Sequence, residues 1–240
     1  MATNNSLLRS LSVAQNFMKG APLTGVQGNP LEPAASVADY VRQFMLSPPF
    51  AWRWNRASVN FNTVAGTQDY QKSLPTFGWL ESATTNDNQG KTSSIVSIEN
   101  RLSNPEDNAQ APPRYVAARL DDDAGNITFR LLPNPDAVYT VTITYQLAAP
   151  TFQNLNDTWA PIPDYMSNIY NLGFRAFAYE YFDDPRYFPA FQFFLRQLVA
   201  SSEGLDQTSK NLFLAEFLHL QKQGGEIQSG QLGRQGRSGY

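Results

Sequence analysis

The stretch Val138-Tyr-Thr-Val-Thr-Ile-Thr-Tyr-Gln-Leu147, "VYTVTITYQL", decides the fold class of this chain. Tyr139, Val141, Ile143, Tyr145 and Leu147 fall on one side, and Thr140, Thr142 and Thr144 on the other. A period of two is that of a strand with one buried face, and β-branched and aromatic residues are those that pack on a pleated surface. Toward the N-terminus the same pattern recurs. "ASVNFNTV" alternates Ala57, Val59 and Phe61 against Ser58, Asn60 and Asn62, and "FGWLES", "SSIVSIENRL", "RYVAARL" and "NITFRLL" read as further short strands. Turn signals separate them: a glycine in "AGTQDY", the run "DDDAGN" that predicts a hairpin, and "PNPD" at 133–136. Strands at this spacing predict an antiparallel sandwich or small barrel, with no sign of βαβ units.

On both sides of this region the period changes. "AASVADYVRQFMLSPPF" carries Val37, Tyr40, Val41, Phe44 and Met45 at helical spacing, and Pro48-Pro49 end it because proline lacks an amide donor. From Pro161 onward the chain is helical. Pro163 suits a first helical turn, and Tyr165, Ile169, Leu172, Ala176 and Tyr179 mark a stripe. Asp184-Pro185 opens "RYFPAFQFFLRQLVASSE", and after Gly204 the segment "LDQTSKNLFLAEFLHLQKQ" is capped by Asp206 and stopped by Gly224 or Gly225. Phe174, Phe177, Phe191, Phe193, Phe194, Phe213 and Phe217 give these helices an apolar arc too wide for one buried side. Two outcomes fit that arc: a core closing on the β region, or added subunit contacts. The fold class is therefore α+β.

The ends are of another kind. Leu7, Leu11, Ala14 and Met18 make an amphipathic arm, and 20–33 reads as a Gly/Pro linker. The last stretch, "GGEIQSGQLGRQGRSGY", cannot bury enough apolar surface to offset its chain entropy. It is either an idle tail or an arm that orders on a partner through Arg234, Arg237 and Tyr240.

Little in the sequence points to chemistry. No cysteine is present and His219 is the only histidine, so no zinc site forms and a Ser-His-Asp triad has no serine elbow to serve it. Asp121-Asp122-Asp123 resembles a cation ligand run, but its spacing fails the EF-hand loop and a solvated turn explains it. Asp183-Asp184 is explained by the start of a helix. No phosphate-binding glycine loop occurs and no apolar run is long enough for a membrane span. No cofactor, metal or catalytic residue is expected. The net charge of −3 argues against a protein whose task is to grip duplex DNA.

One motif stays open at this point. "FAWRWNR", residues 50–56, interleaves Trp52 and Trp54 with Arg53 and Arg56. Such a mixture serves a single-stranded nucleic-acid groove, where rings stack bases and cations hold phosphates. It equally serves a domain or subunit interface, in which Trp and Arg are anchors. Its position, where a helix ended by Pro48-Pro49 enters the first strand, favours the anchor.

Taken in order, a helix, the Trp52/Trp54 motif, "TVAGTQDY", "LLPNPDAVYTVTITYQLAAP" and "PIPDYMSNIYNLGFRAFAYEY" resemble the head-to-tail adaptor proteins of tailed bacteriophages, the tail tubular or gatekeeper-type ring proteins. The resemblance spans about residues 35–220. It implies a virion structural protein without enzymatic activity, located at the head-tail junction and assembled in the host cytoplasm. It implies a helical bundle (35–56 and 161–223) with an inserted antiparallel β domain (57–150). An N-terminal arm and linker (1–34) and a flexible C-terminal portal-docking arm (224–240) flank them. The implied partners are the portal protein above, a tail, nozzle or neck protein below, and copies of the chain in a dodecameric ring. DNA passes through that ring without specific binding, which a weakly acidic chain permits. The alternatives are a nucleic-acid-binding module built on residues 52–56, or another tail or baseplate protein that binds carbohydrate through exposed aromatics.

Overall fold

The alternation in 138–147 is realised as the middle strand of one half of a sheet. In the computed structural model, which describes residues 4–15, 32–87, 89–98 and 109–215, the strand β7 (Thr140–Leu147) buries Val141, Ile143 and Tyr145 on one face. It pairs antiparallel with β1 (Arg56–Asn62), Val59 opposite Ile143, and on its other side with β3 (Phe77–Asn86), Ala83 opposite Ile143. Beyond β3 lie β4 (Thr92–Ser97), β5 (Tyr115–Leu120), β6 (Asn126–Leu132) and β2 (Asp69–Ser73), giving the order β1-β7-β3-β4-β5-β6-β2.

This single seven-stranded sheet is curled into a half-barrel. Phe61 on one edge strand stacks on Tyr70 of the other, with ring centroids 5.0 Å apart. Both lie on a core that includes Ile95, Val116, Ile127, Phe129 and Leu131. Curling turns the apolar face of the sheet onto itself, so that its own strands supply the cover a flat sheet would need from a second layer.

The turns differ in what they join. "DDDAGN" closes the expected β5–β6 hairpin, with Leu120 opposite Ile127, Asp121 N donating to Asn126 O at 2.8 Å and Gly125 at φ +82°. Gly66 (φ +78°) turns the chain after β1, yet β1 and β2 lie at opposite edges of the sheet. Residues 133–136 likewise lead from β6 to a strand that is not its neighbour. A turn signal reports that the chain reverses, while long-range pairing chooses the partner. One junction departs from the antiparallel expectation: β4 and β5 run parallel over two residue pairs.

The helices form the second core. They are α1 (Leu7–Gln15), α2 (Glu32–Leu46), α3 (Ser167–Tyr181), α4 (Tyr187–Ser201) and α5, described over 207–215. Short 3-10 turns at Arg53–Asn55 and Asp164–Met166 lead into β1 and α3. At Gly173 a Cβ would stand 2.8 Å from both Phe194 and Val41, so only glycine lets α2, α3 and α4 approach this closely. Phe44 sits among Phe50, Phe177, Phe191 and Phe194 at centroid distances near 6 Å, the spacing of edge-to-face aromatic packing. The N-terminal helix belongs to this core: Leu7, Leu11 and Ala14 are buried, and its amides at Leu7 and Leu8 donate to Asp157 O and Leu155 O.

Two expected stripes hold in part: Val37, Val41 and Met45 on α2, and Ala176 and Tyr179 on α3, are buried as expected, while other members are displaced. On α3 the buried line is Met166, Tyr170, Phe174 and Phe177, while Tyr165 is 66% exposed and Ile169 and Leu172 only partly covered. Trp159, stacked on Tyr170 at 4.4 Å, holds that ring on the buried side. On α2, Tyr40 lies outside and Arg42 is buried instead. The Arg42 guanidinium donates to Ala160 O (3.0 Å) and to Pro150 O, pairs with Asp39 (3.1 Å), and lies 3.7 Å over the Phe152 ring. Burial lowers its pKa, and these partners keep a buried cation tolerable. Helix α4 starts at Tyr187, two residues after Pro185, because Asp184 Oδ1 accepts the Arg186 amide in a local turn. Phe193, counted with the apolar arc, is half exposed.

Candidate functional site: the tryptophan-arginine junction

Residues 50–56 join the two cores. Helix α2 ends at Leu46, leaving its last carbonyls without intrahelical donors. Two indoles supply them: Trp52 Nε1 donates to Met45 O at 2.7 Å, and Trp79 Nε1, reaching across from β3, donates to Leu46 O at 2.8 Å. Ser47 Oγ donates to Phe44 O at 2.9 Å. Trp52 is 1% exposed and lies in the helical core; Trp54 stacks on it at 5.5 Å. The Trp54 Nε1 is buried and has no hydrogen-bond partner among the described residues. The loop before α5 closes over the same point, since a Cβ at Gly204 would stand 2.7 Å from Ala51 Cβ. From the same side Phe213 packs edge-on against Phe50 at 5.8 Å.

The sheet answers with Gln146. Its side chain is fully buried, although it sits on the polar side of the alternation in β7. Gln146 Oε1 accepts the Trp52 amide at 3.1 Å, and Nε2 donates to Trp52 O at 3.2 Å and to Glu81 Oε2 at 2.6 Å. The amide thus mimics one rung of a β ladder, pairing both main-chain groups of Trp52. Asn55 Nδ2 adds a bond to Leu147 O at 2.8 Å. Gly78 sits at a bulge in β3, where a Cβ would meet Gln146 O at 2.8 Å; glycine therefore lets β3 cross this point and deliver Trp79.

The two arginines diverge. Arg56 meets Glu81 in a two-point pair, Nε to Oε2 at 2.8 Å and Nη2 to Oε1, and this bonding raises the Arg56 pKa above its ordinary value. Arg53 points outward, 78% exposed, with only a loose 3.7 Å approach to Glu203. The rings that would stack bases in a nucleic-acid groove are therefore turned into the core.

Sequence reasoning singled out Trp52, Trp54, Arg53 and Arg56 but not Gln146, Glu81 or Trp79. The signal for Gln146 was faint: a long amide directly beside the last buried aromatic of a strand. Asp121, Asp122 and Asp123 form a turn in which Asp122 accepts the amides of Ala124 and Asn126, and Asp121 is tied to Arg119, Thr128 and Gln71. These donors hold both carboxylates below the usual carboxylate range. Among the described residues no group of three or more acidic, His or Cys side chains is placed to hold a metal ion, and no helix is long and apolar enough to cross a membrane. His219, Arg234, Arg237 and Tyr240 lie outside the described residues.

No curated protein matches the chain. A family model described as SU10 adaptor protein matches residues 34–212, which takes in α2, the junction, the whole sheet, α3, α4 and the start of α5. With that match covering both cores and the joint between them, the chain belongs to the SU10 adaptor protein family, phage head-to-tail adaptors.

Proposed function

We propose that this phage adaptor structural protein is the subunit of a homo-oligomeric ring, dodecameric as its resemblance implies, which docks beneath the portal. The ring joins the capsid to a tail, nozzle or neck protein and forms part of the DNA channel, within the virion at the head-tail junction. The observation that carries this reading is the family match over 34–212, a range that takes in both cores and the junction between them. The function is mechanical and no bond chemistry is assigned.

In this reading the C-terminal arm, 224–240, orders on the portal through Arg234, Arg237 and Tyr240. Ordering such an arm costs a few kcal/mol per subunit, and repeated attachment around a ring offsets the cost by raising the effective concentration of each successive arm. Trp52 and Trp54 pin the β domain to the helices, Arg56 holds the pin through Glu81, and Arg53 is the member exposed enough to meet a neighbouring subunit. A net charge of −3 supports a channel wall that DNA passes without adhering.

The experiment is binding of full-length protein and of a chain ending at Gln223 to purified portal rings, followed by electron microscopy of the complexes. Full-length chain is expected to form a closed ring on the portal and the truncated chain to bind more weakly. Equal binding by the two would remove the arm from the mechanism, and absence of any ring would remove the adaptor geometry.

A further inference from the structure

The sheet is not zipped along its whole length. Strands β4 and β5 pair only at Val96–Tyr115 and Ser97–Val116, where Val96 N donates to Arg114 O and Ile98 N to Val116 O, each at 2.9 Å. Main-chain groups of a strand alternate in direction every residue. Ser94 and Thr92 therefore direct their amides and carbonyls the same way as Val96, toward β5. Continuing the parallel register would pair the Ser94 amide with Pro112 O and the Ser94 carbonyl with the Arg114 amide. It would also ask Pro112, which carries no amide, to donate to Thr92 O. Among the described residues neither the Ser94 nor the Thr92 amide makes its bond to this segment. The next donor, the Arg114 amide, is turned away to Leu132 O at 2.9 Å, and Ala111 N is given to Asn134 O at 2.9 Å. The ladder stops, and the two strands part around a cavity of about 470 Å³ lined on one side by Ser93 and Ser94 and on the other by Pro112, Pro113 and Arg114.

The charges at this slot are unequal in their engagement. Asp87 is occupied by the amides of Gln89 (2.9 Å) and Lys91 (2.7 Å), and Asp136 by the Tyr139 hydroxyl (2.7 Å). Lys91 and Arg114 line the same cavity, and neither side chain pairs with a carboxylate among the described residues.

We propose that this slot is a docking site for an extended segment of another polypeptide, carrying an acidic side chain, which continues the β4 edge. Its main chain pairs with Thr92 and Ser94, and its carboxylate meets Lys91 and Arg114. Ladder groups without a partner among the described residues select a peptide backbone, and the cations without a carboxylate among those residues select its charge. The site lies at the end of the sheet remote from the helical junction and does not depend on the portal reading.

The test uses the full chain, isotope-labelled, titrated with the blocked peptide acetyl-Thr-Val-Glu-Val-Thr-amide. The Thr92 and Ser94 amides are expected to shift most and to exchange more slowly with solvent at saturation in the millimolar range. Arg114→Glu and Lys91→Glu, both at exposed side chains, are expected to weaken binding by about threefold each, the size of an exposed ion pair. Ser94→Pro should abolish the shift by removing one donor. The proposal is overturned if the two amides already exchange slowly in the free chain, since the slot is then filled by the chain itself. It is overturned equally if the peptide moves neither amide, or if oligothymidine moves them more strongly than the peptide does.

Discussion

At the helical end of the sheet, Gln146 gives its whole amide to neighbours, pairing both main-chain groups of Trp52 and one oxygen of Glu81. At the far end, Thr92 and Ser94 lie beyond the last rung of the β4–β5 ladder, and Ser94 shares its cavity with Pro112 and Pro113. Both places interrupt a ladder, and in both a main-chain group needs a donor or acceptor that regular pairing does not provide. The chain supplies it at the junction, from side chains that are buried and fixed. It leaves the far end to whatever arrives from outside. Buried polar groups that find partners rigidify a structure, while edges left open recruit other chains. The junction is thus built to hold two cores together, and the far end is built to be completed.

Substitutions should separate the two ends by their energetic cost. Trp52→Ala removes a buried indole and uncaps Met45 O, and should lower unfolding free energy by about 4 kcal/mol, measured by equilibrium denaturation of the full chain. A loss near that seen for surface positions would break the comparison at its stronger end. Gln146→Leu keeps most of the volume but strands the Trp52 amide and carbonyl, so a loss of about 2 to 3 kcal/mol is expected from unfolding curves. Arg56→Ala leaves Gln146 in place and removes a partly exposed ion pair; about 1 kcal/mol should be lost, shrinking as salt is added.

At the open end the same kind of change should cost almost nothing. Lys91→Ala and Arg114→Ala touch no ion pair among the described residues, and each should stay within about 0.5 kcal/mol of the parent in thermal and denaturant unfolding. A large loss there would mean that the slot's cations already hold the chain together.

The contrast also explains what the sequence could disclose. The strand pattern in 138–147 was legible because alternation is local, and Val141, Ile143 and Tyr145 are indeed the buried face. Gln146 was not legible as a buried residue, because the element that covers it, the loop at Trp52, is 94 positions away in sequence. Arg42 was missed and Tyr40 misplaced for the same reason: the carbonyls that welcome the guanidinium belong to residues 150 and 160. The Trp/Arg motif drew notice by composition, yet only geometry separates the inward Trp52 from the outward Arg53. The parting of β4 from β5 had a local sign in Pro112-Pro113, whose consequence depended on a parallel register that no spacing discloses.

The smallest expected effect lies in the loop beside the slot, and it asks whether an open edge needs a loose surround. Tyr139 donates its hydroxyl to Asp136 Oδ1 at 2.7 Å, and this bond to a carboxylate pushes its pKa up to about 12. Ionising the phenol would end the donation and set a second negative charge beside Asp136. A tyrosine pKa raised above its unfolded value of about 10 contributes stability that is fully present below that value and is lost as pH rises through the folded pKa. Tyr139 should therefore add no pH dependence between neutrality and about pH 9, and should release its proton only near 12. The difference between ultraviolet titrations of the parent and of Tyr139→Phe isolates this one group, and the variant should unfold slightly below the parent's midpoint at neutral pH, where this exposed bond is intact and worth about 0.3 kcal/mol. A difference curve centred near the ordinary tyrosine value would mean that the loop is not held by Asp136. The open slot would then be open because its surround is unfixed, and no longer because Pro112 has no amide for Thr92 and the Arg114 amide is turned away from Ser94.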